Sequence, residues 1–285
     1  MEYALEIKGL QKKYNSFNLE NVDLRLPKGK IYGLIGENGA GKSTTMKAAL
    51  DLIKKDGGEV LFWGEQLSEH PKKIKEDIGI VFDGINFYET LTPRKVGNVC
   101  RKAYQNWDEK FYQNYLDKFE VPTDKEIKTL SKGMKVKLCL AAALSHHAKL
   151  LILDEPTSGL DPIIRDDILD IFLDFVQEEE NSILLSTHIT NDLAKIADHI
   201  VFLHKGQVIL SENKDDLIYN YGIIRCGSSD FEKIDRKDRL AYRKMDYQWN
   251  VLVKDKKKAE AKYKNAIIDV VTLEEMMLLY VKGEV

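Results

Sequence analysis

The chain has little that would tie it to an oxidising compartment, a bilayer or nucleic acid. Its three cysteines, Cys100, Cys139 and Cys226, are scattered, without the spacing of a metal site or a disulfide framework. Its apolar runs, such as "LCLAAAL" and "MMLLYV", stop far short of the roughly 20 residues that a membrane-spanning helix needs. The opening "MEYALEIKGLQKKY" lacks the apolar core of a signal peptide. An excess of one charge is missing too. With 43 Lys and Arg against 46 Asp and Glu, the net charge of -3 gives no global attraction to nucleic acid or acidic lipid. No internal repeat or low-complexity segment is evident. Together these absences predict a reducing, cytoplasmic protein without disulfides and without a nucleic-acid partner.

What is present suffices for one large domain or two modest ones: 285 residues, 44% of them hydrophobic. Strand-type runs open the chain at "YALEIKGL" and "FNLENVDLRL", and "IYGLIG" leads through glycines into a helix from Lys42 to about Leu52. Further strands are expected at "EVLFW", "IGIVF", "LLILD", "SILLS" and "HIVFLH", with a mostly helical stretch between "IGIVF" and "LLILD". The pattern predicts an α/β core with a mainly parallel sheet, an N-terminal antiparallel β part and a helical insertion over about 84–145. Beyond 220 the composition turns charged and less regular, so a boundary is expected there, with a small α/β extension over 221–285. It carries the basic run "KDKKKAEAKYK", expected to be a solvated face, and a last helix in which Thr272 and Glu275 fit a capping box.

"GENGAGKST" satisfies G-x-x-x-x-G-K-[ST] after a strand and before a helix. Such a loop, here Gly36, Glu37, Asn38, Gly39, Ala40 and Gly41, curls backbone N–H groups around a phosphate. Lys42 offers a point charge to the β- and γ-phosphates, Ser43 a hydroxyl to Mg²⁺, and Thr44 closes the motif. "LLILDEPTSGLD" is an apolar strand ending in two carboxylates at the sheet edge that faces ligands. Asp154 suits Mg²⁺. Strand alternation is expected to turn Glu155 the other way, where it can polarise a water for attack on the γ-phosphate. His188 in "STH" ends another strand. A lone histidine is more often structural, but this position favours a γ-phosphate contact that aligns the phosphate and the water. "TLSKGMKVK" reads as a helix start capped by Ser131, with Gly133 in its first turn, and a helix start attracts an anion.

These motifs, "GENGAGKST", "LSKGM" at Leu130 to Met134, "LLILDEP", "SGLD" at Ser158 to Asp161 and "STH", occur in an order that resembles the ATP-binding cassette (ABC) transporter ATPase subunits, exporter-type, over about residues 3–220. The resemblance implies a nucleotide-binding subunit that hydrolyses ATP with Mg²⁺. It also implies a dimer, with an identical or a related subunit, around two ATP molecules, lying peripherally on the inner face of the membrane and driving a separate integral permease. "LSKGM" corresponds to the family signature, most often LSGGQ, which closes over the ATP held by the other subunit. Ser131 and Gly133 would then meet the partner's γ-phosphate, with Ser131 capping its helix as well. By the same resemblance Tyr14 stacks on adenine, the alternative being a plain surface tyrosine, and Asp161 belongs to a loop that crosses the dimer interface.

Three departures from the family pattern stand out. Asp83 in "IGIVFDG" takes the position of a glutamine that contacts Mg²⁺ and the attacking water, so altered catalysis or coupling is expected. Lys132 and Met134 replace a glycine and a glutamine of the signature. In the insertion, Trp107, Phe111, Tyr115 and Phe119 recur at i, i+4 and share a helix face, core or contact. Phe87 and Tyr88 in "GINFYETLTP" look exposed and suit docking to the membrane subunit. The rival function is a non-transport ABC ATPase acting on ribosomes or DNA. Relatives of that kind usually carry two cassettes in one chain or long coiled coils, neither of which is present.

Overall fold

The computed structural model describes residues 2–84, 87–264 and 266–284. Strands β1 (Tyr3–Lys13) and β2 (Asn18–Pro27) form a hairpin, and after β3 (Ile31–Ile35) and helix α1 (Lys42–Ala49) the chain returns to it through β4 (Gly57–Phe62) and β5 (Glu65–Gln66). The result is the expected antiparallel sheet, in the order β2-β1-β4-β5. Helix α2 (Pro71–Glu76) leads to β6 (Ile78–Val81), and the insertion follows as α3 (Pro93–Ala103), α4 (Glu109–Lys118) and α5 (Lys132–Leu144).

The chain then alternates β7 (Leu150–Asp154), α6 (Pro162–Phe175), β8 (Ser182–Thr187), α7 (Thr190–Ile196), β9 (His199–His204) and β10 (Gln207–Asn213). These strands and β3 build the central sheet in the order β10-β9-β3-β8-β7-β6, parallel except for β10. Both faces are covered, so the central parallel strands are largely apolar rather than alternating, while the edge strand β10 carries exposed polar residues. In β7, Leu151 and Leu153 pack with the insertion and α6, while Leu150 and Ile152 pack with α1 and the first sheet.

The C-terminal extension is α/β, as expected, and is regular in spite of its charged composition. After α8 (Lys214–Tyr219) come β11 (Gly222–Cys226), α9 (Ser228–Phe231), β12 (Ala241–Lys244), β13 (Trp249–Val253), α10 (Lys256–Lys262), β14 (Ile267–Val270) and α11 (Leu273–Lys282). The four strands form a third, antiparallel sheet in the order β12-β13-β11-β14. Ile223, Leu252 and α11's Met276 and Leu279 join the core shared with α6 and α7. The basic run is α10, whose Lys262 pairs with Asp235 and Asp238. Thr272 and Glu275 make the capping box at the start of α11. Among the described residues no helix is long and apolar enough to cross a membrane.

The aromatic row departs in part from expectation. Phe119 is buried, but Phe111 and Tyr115 are half-buried, and the face of α4 that is fully enclosed carries Tyr112 and Leu116. The Tyr112 hydroxyl donates to the Pro93 carbonyl at 2.8 Å. Phe87 is not exposed but packs half-buried against the core, whereas Tyr88 is 84% exposed. Ile85 and Asn86 of the same stretch lie outside the described residues.

Candidate functional site

Strands β3, β8, β7 and β6 are parallel neighbours, so their C-terminal ends share the edge at which open α/β sheets take ligands. β3 runs into the loop 36–41, β7 ends in Asp154, β8 ends at Thr187 beside His188, and Asp83 lies exposed two residues past β6.

The loop's glycines answer to its tight path. Gly41, with φ 111°, forms the N-cap of α1, and a Cβ there would come within 2.8 Å of the Phe17 ring. At Gly36 a Cβ would stand 2.2 Å from the Leu203 carbonyl oxygen, so β9 approaches the loop directly. Lys42, 6% exposed, curls back and donates to the carbonyls of Gly36 (2.8 Å) and Glu37 (3.3 Å). Glu37 in turn places Oε1 3.1 Å from Nδ1 of His204 at the end of β9. Ser43 and Thr44 lie half-buried in the first turn of α1.

Asp154, buried at the end of β7, accepts from the Ser186 hydroxyl of β8. Glu155 is aimed differently from the expected strand alternation. Its backbone leaves the strand in the left-handed region, φ 52°, while its N–H donates to the Ser186 carbonyl at 2.9 Å. A non-glycine residue held there is a local strain that the surrounding structure must enforce, and such strain concentrates at functional positions. The turn places Glu155 Oε2 2.7 Å from His188 Nδ1 and Oε1 3.3 Å from the Lys42 ammonium. The Lys42 contact has ion-pair distance but not hydrogen-bond geometry, so Oε1 is buried without a hydrogen bond.

The other sequence candidates lie on separate elements. Ser131 is the N-cap of α5 and accepts from the Met134 N–H at 3.2 Å. Gly133 is buried against Ile164 of α6, so a neighbour within the chain fills the space its absent side chain leaves. Lys132 extends over Gly159, where a Cβ would meet its ammonium at 2.9 Å. Asp161 is the N-cap of α6 and accepts from Ile163 and Ile164, each at 3.1 Å. Tyr14 is 46% exposed, with the Lys12 ammonium 5.3 Å from its ring centroid. Among the described residues no hydrogen bond or ion pair joins Tyr14, Ser131 or Gly133 to residues 36–44.

Two functional-looking residues escape a reading of the sequence. Asp192, in the first turn of α7, is buried and accepts from the equally buried Thr157 hydroxyl at 2.6 Å. Burial raises its pKa above the usual carboxylate range. From sequence, an acid at a helix start is an ordinary partner for the dipole, and nothing local signals its enclosure.

The ABC transporter family matches over residues 19–158. The lantibiotic transport ATP-binding protein SrtF of Streptococcus pyogenes is 36% identical over 76% of this chain and 96% of its own length. The bacitracin transport ATP-binding protein BcrA of Enterococcus faecalis is 34% identical over 76% of this chain and 71% of its own. A solved ATP-binding subunit of an ABC transporter superposes with a TM-score of 0.68 at 31% identity, over 75% of this chain and 91% of that one. With the phosphate loop, the acidic strand end and the histidine brought to one sheet edge, and with relatives matched over most of their length, the chain belongs to the ABC transporter ATP-binding proteins and is an ATPase subunit of that family.

Proposed function

We propose that this subunit closes head to tail with a second one, identical or related, around two Mg-ATP, and that hydrolysis drives a separate membrane permease in the direction of export. One observation carries the chemistry: the Glu155 carboxylate is held between His188 and Lys42, with Oε1 buried and free of hydrogen bonds. A carboxylate so held suits a general base for a water. As the water oxygen bonds to the γ-phosphorus, Glu155 takes its proton, the bond to the β–γ bridging oxygen breaks, and Lys42 offsets charge on the phosphates. His188 aligns the γ-phosphate. Asp154 and the Ser43 hydroxyl are hard oxygen donors that fit Mg²⁺ arriving with the triphosphate, with Asp83 near the same edge.

Residues 1–220 would form the ATPase unit and 221–285 an extension. Ser131 and Gly133 of one subunit meet the ATP held by residues 36–44 of the other, Asp161 lies at their interface, and Tyr14 stacks on adenine. That no hydrogen bond joins Ser131 to the loop within one chain, among the described residues, supports a second subunit. Loss of the γ-phosphate then removes the bridge and the dimer opens. The lantibiotic and bacitracin transport relatives support export, and the permease selects the cargo. The protein would sit at the cytoplasmic face of the membrane through that permease, and nothing in the comparisons favours a ribosomal or DNA partner.

The test is Glu155→Gln. Its mass in solution is expected to double with Mg-ATP and to stay monomeric without it, while hydrolysis falls by about 10²–10⁴-fold. A variant that remains monomeric in Mg-ATP and hydrolyses at the parent's rate overturns the reading.

A further inference from the structure

We propose that Asp192 is a positioning residue for hydrolysis, which, by holding Thr157, closes a ring that fixes Glu155 against His188; this rests on the proposed function of that pair. Thr157 lies two residues after Glu155, and Asp192 lies four after His188. The Thr157 Oγ1 to Asp192 Oδ2 bond of 2.6 Å and the Glu155–His188 contact of 2.7 Å therefore join the same two segments twice. The first bond is fully enclosed, whereas the His188 side chain is 43% exposed. The enclosed bond thus anchors a pair that solvent would otherwise loosen.

Stability alone does not account for the arrangement. A buried carboxylate loses hydration that one hydroxyl only partly replaces, and an apolar residue of similar size would cost less. Among the described residues the one cation within ion-pair distance is also imperfectly placed. Arg165 Nε of α6 stands 4.0 Å from Asp192 Oδ1 and makes no hydrogen bond. Between Thr157 and Arg165 runs the loop Ser158–Asp161, with Lys132 over Gly159 and Ile164 against Gly133. Asp192 therefore ties the catalytic pair, the loop and the base of the signature helix into one packed unit.

The experiment compares the full chain with Thr157→Val, Thr157→Ser, Asp192→Ala and the Val/Ala double variant. Each is assayed for kcat, KM for ATP and the dissociation constant of a fluorescent ATP analogue. Amide exchange is followed at 158–161 and at His188, and melting confirms folding. Thr157→Val is expected to lower kcat roughly tenfold or more, to leave KM and analogue affinity within about twofold, and to speed exchange at those amides, while Thr157→Ser restores parent values. The double variant is no slower than the worse single one, because both break the same bond. The proposal is overturned if Thr157→Val keeps the parent kcat and exchange, if Thr157→Ser fails to restore them, or if kcat and affinity fall together. Should Asp192→Ala not fold, the Val/Ser pair decides by itself. If instead Glu155→Gln shows no effect on turnover or mass, the functional reading fails, while the exchange data still report on the clamp.

Discussion

Gly133 and Ile164 pack together only because glycine has no side chain: a Cβ at 133 would stand 2.8 Å from Ile164 Cδ1 and 3.1 Å from its Cγ2. The glycine of the signature thus serves the packing of α5 on α6 within one chain, whatever it also offers a partner. Gly133→Val is expected to cost about 1–3 kcal/mol through overpacking. Adding Ile164→Ala should recover at least half of that loss. Denaturant midpoints of the parent and the two variants measure it, and an unchanged midpoint for Gly133→Val would show that α5 and α6 separate freely.

Tyr14 makes a different kind of prediction, because its half-exposed ring is free to meet a flat ligand. Stacking of a base on an aromatic ring is worth about 1–3 kcal/mol. Tyr14→Ala should therefore raise KM for ATP by about fivefold to a hundredfold and leave kcat nearly unchanged, the pattern of lost uniform binding. Tyr14→Phe should keep the parent KM. Equal KM values for Ala and parent would remove Tyr14 from the adenine site.

What was legible follows from how local each signal is. The loop at Gly36–Ser43 could be read because its glycines and lysine act within eight consecutive residues, and β7 because burial on both faces leaves an unbroken apolar run. Glu155 could be singled out as a carboxylate at a strand end, but its direction could not be read: a φ of 52° and a bond to Ser186 on the next strand take it out of simple alternation. Asp192 was not legible, since its enclosure depends on Thr157, 35 residues earlier. The third sheet was hidden because its strands are short and carry charge on the exposed side, as in "GIIRC" and "AYRK". In α4 the aromatic spacing was real, but the deepest face was the adjacent one, with Tyr112 and Leu116.

His146 predicts acid sensitivity. It is buried, stacked on Tyr104 with ring centroids 3.9 Å apart, and its Nδ1 lies 2.9 Å from the Glu76 carbonyl, to which only an N–H can donate. Burial lowers its pKa from 6.5, and the half-buried His199 shifts the same way through its own partial desolvation. Below about pH 6.5 the unfolded chain takes up these protons and the folded chain resists, so stability is full above that pH and falls as pH drops through it. His146→Phe keeps the stack, forgoes the bond to Glu76 at about 1 kcal/mol, and should flatten the fall between pH 7 and pH 5. An identical pH slope in parent and variant would mean that His146 accepts its proton in the folded state.

Asp83 tests how far this chain departs from its family at the reacting edge. β6 pairs in parallel with β7, Val81 opposite Leu153, so the residue two beyond β6 follows the same edge as Asp154 and Glu155. Under the proposed function, a third carboxylate there adds negative charge where the triphosphate would arrive. Asp83→Gln removes the charge and adds one methylene of reach. We expect kcat to rise several-fold, with KM for Mg-ATP unchanged or lower and the gain larger at low salt, where screening is weakest. A fall in kcat would mean that Asp83 holds the cation or the water itself, and that the shorter, charged side chain is the working one in this subunit.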